Sequence, residues 1–304
     1  MPGPFLNEIH TDKLLSEISI KYRNSEYIAD RVFPTLNVMK DSDLYRIFTR
    51  NFRIPETRRA NRGVAREHDF HVTTSSYILE RHALKGYVSD DDARNYDIGS
   101  LRADTTENLT DAMLRRVELT TSQLFTSTSW SLNVSLAAAG AWSANTTTSN
   151  PIPVMDTAAT EIIEQSGFKP NFCIVPRTSF IAAKNHDSVL DRVKYTSADM
   201  SENMLKALFG LPEMLVPTAV RDTSAEGQAD AISSFWGDNV FVGYKPGRPS
   251  PLAPSSGYMF KQSRPMVKRW RVEERESEAI EVNMNFQPKV VASLTGFLVI
   301  DTIQ

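Results

Sequence analysis

Side chains with catalytic potential are few and scattered along this sequence. His68, Asp69 and His71 make the nearest approach to a metal cluster. On a strand, His68 and His71 project to opposite faces, so joint ligation of one ion is not expected. Cys173 lies in the apolar run Phe172 to Val175 and reads as a small buried hydrophobe. His186 has the chemistry of a general base, but no nucleophile is indicated beside it. No GxGxxG, P-loop, HExxH or GxSxG signature occurs, and no two of the 13 glycines lie two apart. Asp90, Asp91 and Asp92 point in different directions on any regular backbone. Solvated charge, or pairing with the arginines of a neighbour, suits them better than a metal. The expectation is no catalytic, cofactor or metal site, and no enzyme.

The stronger pattern is basic. Arg46, Arg50, Arg53, Arg58, Arg59, Arg62 and Arg66 crowd one stretch in which the one acid between the first and the last is Glu56, and positions 41–84 contain no lysine. The guanidinium fork is planar and permanently charged, which suits bidentate pairing with carboxylates across an interface. A phosphate-binding loop and a plain solvated loop are the rival readings.

These arginines must be held by flanking β-rich runs, Leu44 to Phe52 and Phe70 to Leu79 continuing to Val88. A hairpin of this length with a polar tip has no core of its own to bury. Before it, residues 1–40 read as an arm, with a short helix suggested by Leu14, Leu15, Ile18 and Ile20. Tyr27 and Ile28 then lead into an extended apolar segment, Val32-Phe33-Pro34, where proline keeps Phe33 out of the helical region. After it, Asp104 to Ser127 has apolar residues near helical spacing, and Asp104 with Glu107 resembles a capping box. No proline occurs between Pro55 and Pro151, so nothing breaks this helix. Arg115, Arg116, Glu118 and Thr121 form its polar flank, which argues against a membrane span; the ordinary alternative is a core helix of an enzyme.

Further on, SANTTTSNPIP reads as a linker. Helices at Thr157–Gln165, Ser179–Asn185 and Ser201–Phe209, the first and last stopped by Gly167 and Gly210, alternate with short strands at Phe172–Val175, Leu215–Val216 and Asn239–Val242, as in an α/β layer. The run GRPSPLAP breaks the pattern. Ile280, Val282, Met284 and Phe286 then alternate with polar residues as a half-buried strand, and Phe297–Ile300 gives one more. A period-two strand returning so late implies a sheet packed beside the early helix.

Composition narrows the class. With 304 residues and 41% hydrophobic content, the chain can bury a sizeable core or two smaller ones. A formal net charge of −3 gives no global attraction to nucleic acid or anionic membranes. One cysteine fits a reducing compartment. No apolar run reaches ~18 residues, and the first residues lack the basic head and apolar core of a secretory signal. A soluble intracellular protein is expected, with no membrane partner.

Local strings carry a family resemblance across nearly the whole chain. They are VFP at Val32 to Pro34, PETRRA at Pro55 to Ala60 with a later Asp69-Phe70, HALKG at His82 to Gly86, and Trp142-Ser143 before SNPI at Ser149 to Ile152. KPNFCIVP at Lys169 to Pro176, VKYT at Val193 to Thr196, LKALFGLPEMLVPTAV at Leu205 to Val220 and FWGDNVFVGY at Phe235 to Tyr244 follow in order. Together they resemble the major capsid proteins of tailed bacteriophages, of the Hong Kong 97 type. The resemblance implies an α+β fold: an N-terminal arm (1–40), an extended loop lying across a neighbouring subunit (41–88), a peripheral domain with a long spine helix (89–153, with returning strands 255–304) and an α/β axial domain (154–254). It also implies a head shell of hexamers and pentamers around double-stranded DNA, built in the bacterial cytoplasm. Its partners would be a separate scaffolding protein, a portal, a decoration protein in some shells, and generic contact with packaged DNA. The seven arginines, together with Tyr27, Ile28, Val32 and Phe33 of the arm, become inter-subunit contacts, with Asp90, Asp91 and Asp92 as candidate acidic partners. Some members weld their loops by a lysine–asparagine isopeptide bond; positions 41–84 here offer no lysine for it. An encapsulin-like compartment and a soluble α/β enzyme are the alternatives.

Overall fold

The computed structural model describes residues 10–11, 27–47, 54, 56–59, 61, 63–64, 67, 73–96, 100–127, 130–136, 138–194, 201–225, 227–262 and 266–304. In chain order these form β1 (His10–Thr11), α1 (Ala29–Val32), β2 (Thr35–Val38), β3 (Ser42–Ile47), β4 (Thr73–Ile78), β5 (Glu80–Ser89), α2 (Asp90–Asn95) and α3 (Leu101–Thr126). Next come β6 (Leu132–Ser135), α4 (Pro151–Ser166), β7 (Phe172–Ile174), α5 (Arg177–Asn185), α6 (Asp187–Val193), α7 (Glu202–Leu208) and β8 (Glu213–Leu215). The chain ends with β9 (Val220–Asp222), β10 (Ile232–Ser234), β11 (Val240–Gly243), β12 (Gly257–Gln262), β13 (Met266–Val272), β14 (Ser277–Val290) and β15 (Gly296–Ile300).

The long helix has 26 residues, a rod of about 39 Å. It starts three residues before the Asp104–Glu107 pair, because the Ser100 side chain accepts from the Ala103 amide and caps it there. Its buried face carries Met113, Val117 and Phe125 but also Thr106, Thr110 and Thr121. Each of those hydroxyls donates to the carbonyl four residues back, so a threonine methyl can face the core without an unpaired polar atom. The polar flank is thus corrected: Thr121 and Glu118 are fully enclosed.

This helix lies on a six-stranded sheet in the order β1-β13-β14-β12-β2, with β5 also paired to β14. The 14-residue β14 is the sheet's backbone, and its alternation is as the sequence reads: Ile280, Val282, Met284 and Phe286 are buried under the helix. β5 runs antiparallel to it from Ser89 opposite Ser277 to Glu80 opposite Phe286, so the second β run splits at Leu79 and its distal half belongs to this sheet. The proximal half, β4, pairs with β3 as a separate hairpin. That hairpin does have an anchor of its own: Tyr77 stacks on Phe260 at 4.5 Å, and Tyr45 lies 5.4 Å from the same ring.

A second sheet has the order β6-β15-β11-β7-β8. Period two divides its residues between two cores. Cys173, Val240, Val242, Phe297 and Val299 face α4 to α7, while Phe172, Ile174, Phe241 and Leu298 meet Phe125 and Trp130 at the end of the long helix. β6 and β15 therefore do not join the peripheral sheet with residues 89–153 and 255–304; they complete the sheet of the middle segment. The expected linker is also folded: Trp142 and Ser149 are buried, and Asn150 caps α4, which already begins at Pro151. Proline suits the first helical position, where its missing N–H has no partner to lose. Gly167 ends α4 with φ 75°, as its position in the sequence predicts.

Candidate assembly surfaces

The arginine loop divides between described and undescribed residues. Arg50, Arg53, Arg62 and Arg66 lie outside the described residues, as do His68, Asp69 and His71 and the helix suggested at Leu14–Ile20. Arg46 sits on β3, while Arg58 and Arg59 are exposed at the tip. The Arg58 amide donates to Glu56 at 2.9 Å, and the Arg59 guanidinium donates to the Gly63 carbonyl. The same excursion carries a run of exposed apolar side chains: Met39, Leu44, Ile54, Val64 and Ile78. Single exposed apolar residues are ordinary, but several on one thin hairpin mark an interaction surface. Leu44 and Ile78 lie on its paired strands, outside the Tyr77–Phe260 anchor.

The base of the arm is a different matter. Residues 29–32 form one helical turn rather than an extended run, although Phe33 is extended before Pro34 as expected, at φ −103° and ψ 115°. Ile28, Val32 and Phe33 are buried within this chain, with Phe33 stacked on Phe125 at 4.7 Å. Their assignment as contacts to another subunit is therefore corrected, because their own core covers them. Tyr27 remains half-buried, its hydroxyl donating to Asp111 at 3.0 Å.

What fastens this turn is Glu118, which sequence reading left on the polar flank. Its carboxylate accepts from the amides of Ile28 (3.1 Å) and Ala29 (2.9 Å) and from the indole N–H of Trp236 (2.6 Å). One buried group thus ties the arm base and the segment before β11 to the middle of α3. Burial pushes its carboxyl above the usual range, opposed by those three donors. The clue in the sequence is the heptad stripe Asp111, Glu118, Phe125, which lies on one helix face.

The acidic triplet forms the first turn of α2, which Ser89 caps. The Ser89 hydroxyl accepts from the Asp92 amide, and Asp90 holds Arg271 of the same chain in a bidentate pair at 2.6 and 2.7 Å. Asp90 is thereby corrected as a partner for another subunit; Asp91 and Asp92 remain exposed.

His186 does have a hydroxyl beside it, but the pair is structural. Its Nδ1 accepts from the Ser188 amide at 3.2 Å, so in the neutral ring the proton sits on Nε2, which donates to Ser149 Oγ at 2.9 Å. A ring that already carries its proton toward the serine is no base for it. Burial lowers the His186 pKa and favours this neutral form. Cys173 is buried, and burial raises its thiol pKa far out of the reactive range. A cleft of about 360 Å³ between α3 and β14 is lined by Glu80, Gln123, Leu124, Phe286 and Gln287, and among the described residues Glu80 is its one ionisable wall. These positions offer packing, capping and contact surfaces.

No protein-family model matches the chain. It is 22% identical over 297 residues to a major capsid protein of Burkholderia phage BcepMu, covering 95% of each chain. It is 25% identical over 241 residues to a major capsid protein of Pseudomonas phage JBD67, covering 77% of each. Among solved structures, a phage-related protein from Bordetella bronchiseptica RB50 matches with a TM-score of 0.78 at 25% identity, over 97% of this chain and 98% of that one. The capsid structure of cyanophage P-SCSP1u matches at 0.59 and 11% identity, over 99% and 92%, a likeness of fold alone. The chain thus has the Hong Kong 97-type capsid fold and is a homologue of phage major capsid proteins.

Proposed function

We propose that this chain is the major capsid protein of a tailed bacteriophage, whose copies assemble into the icosahedral head shell around its double-stranded DNA. The observation that carries this is the match to a capsid relative over 95% of both chains, which leaves no room for a different domain in the shared length. The exposed apolar and basic residues of the loop support it, since copies of the chain would cover them. Hexamers and pentamers form in the bacterial cytoplasm, with a separate scaffolding protein and a portal, and a decoration protein where the shell carries one. Packaged DNA is met through generic phosphate contacts. Arg46, Arg50, Arg53, Arg58, Arg59, Arg62 and Arg66 act together as a contact network, because single exposed ion pairs are worth only ~0–1 kcal/mol.

Changing Arg58→Glu with Arg59→Glu is expected to leave a folded subunit but to cut particle yield tenfold or more, measured by sedimentation of expressed protein. Undiminished yield would remove these arginines from the contact. Particles from the unaltered chain should run on a denaturing gel as a single band near 34 kDa, because positions 41–84 supply no lysine for an isopeptide weld. Higher covalent bands would contradict a shell held by noncovalent contacts.

A further inference from the structure

We propose that the exposed face of the β9–β10 hairpin is the receptor for the arginine-rich loop tip of a second copy of this chain. This rests on the shell-assembly reading and deepens it.

The register puts Val220 opposite Ser234 and Asp222 opposite Ile232, so these four side chains share one face. Arg221 and Ser233 take the other face, and their Nε and Oγ are enclosed, which fixes that side as the inward one. On the outward side Val220 is 56% and Ile232 65% exposed. Asp222 accepts from the amides of Ser224 and Ala231, which hold its carboxyl below the usual range, and Asp230 is exposed nearby in sequence. Among the described residues, no cation pairs with either acid.

The loop tip is the complement of this face. Ile54 is 91% and Val64 96% exposed, and Arg58 and Arg59 flank them without a carboxylate ion pair among the described residues. Two apolar groups beside acids without a cation thus complement two apolar groups beside arginines without a carboxylate, among the described residues. Both surfaces are open within one chain, so the chain does not join them to each other. The rival receptor, the corner bearing Asp91 and Glu273, already carries its own cations, Arg94 and Arg271. Loop-to-hairpin contact is head-to-tail, the kind that closes into rings.

The test is a cysteine pair, Val64→Cys with Ile232→Cys, in the full-length chain; the native Cys173 is buried and does not compete. Mild oxidation of assembled shells should give a ladder of linked subunits that reduction removes and that neither single variant gives. Normal shells without the ladder, or a fast-migrating monomer closed on itself, would overturn the proposal. Failure of the unaltered chain to form any shell would instead strike the assembly reading. Should the cysteine pair block assembly, adding Asp230→Arg to the Arg58→Glu, Arg59→Glu variant decides: at least threefold recovery of yield supports the contact, and no recovery overturns it.

Discussion

Replacing Gly257 by alanine should cost about 3 kcal/mol of subunit stability, at the upper end for overpacking a core. A Cβ there would stand 2.2 Å from Phe33 Cε1, 2.5 Å from Phe33 Cζ and 2.7 Å from the Lys289 carbonyl oxygen. No rotamer change frees that space, since Phe33 is held by its stack on Phe125 and Lys289 contributes backbone from β14. Phe33→Ala alone should cost about 3–5 kcal/mol through the cavity it leaves. Because the alanine methyl would then occupy part of that cavity, the double variant should lose less than the sum of the two. Urea midpoints of the unassembled subunits measure all three; simple additivity would show that the ring and the glycine do not share the site.

The second large effect belongs to Glu118. Changing it to alanine strands the Ile28 and Ala29 amides and the Trp236 indole N–H in a closed site, at a cost of about 3 kcal/mol or more. Glu118→Gln keeps one acceptor but turns an amide donor toward other donors, and should cost less. The pH dependence has a definite sign. Burial raises this carboxyl in the folded chain, so the stability it contributes is fully present below the unfolded value of about 4.3 and falls as pH rises through the folded value. Relative to Glu118→Gln, the wild-type subunit should therefore lose urea resistance as pH rises from about 4.3. A gap that widens instead would mean that the three donors outweigh desolvation.

Much of this architecture was legible because it follows local periodicity. The alternation from Ile280 to Phe286, the long helix without proline, and the stops at Gly167 and Gly210 all appear where the pattern puts them. What was not legible depends on distant partners. Ile28, Val32 and Phe33 look like an unpartnered apolar arm until Phe125 and Gly257, both far along the chain, are seen to close over them. Glu118 reads as surface charge because its partners are two backbone amides and an indole, groups with no signature in composition. β15 looks like another returning strand, yet it pairs with β11 and β6 in the second sheet. The arginines of the loop are visible as a run, but the receptor proposed for them is a surface of another copy, which periodicity within one chain does not reveal.

Electron microscopy of the chain purified after expression, alone and with the proposed scaffolding protein, tests the central claim most directly. The account predicts closed icosahedral shells whose wall is a lattice of this fold, with the loop of each subunit lying on its neighbour. A stable monodisperse monomer that keeps Ile54, Val64, Val220 and Ile232 in water at high concentration would contradict it.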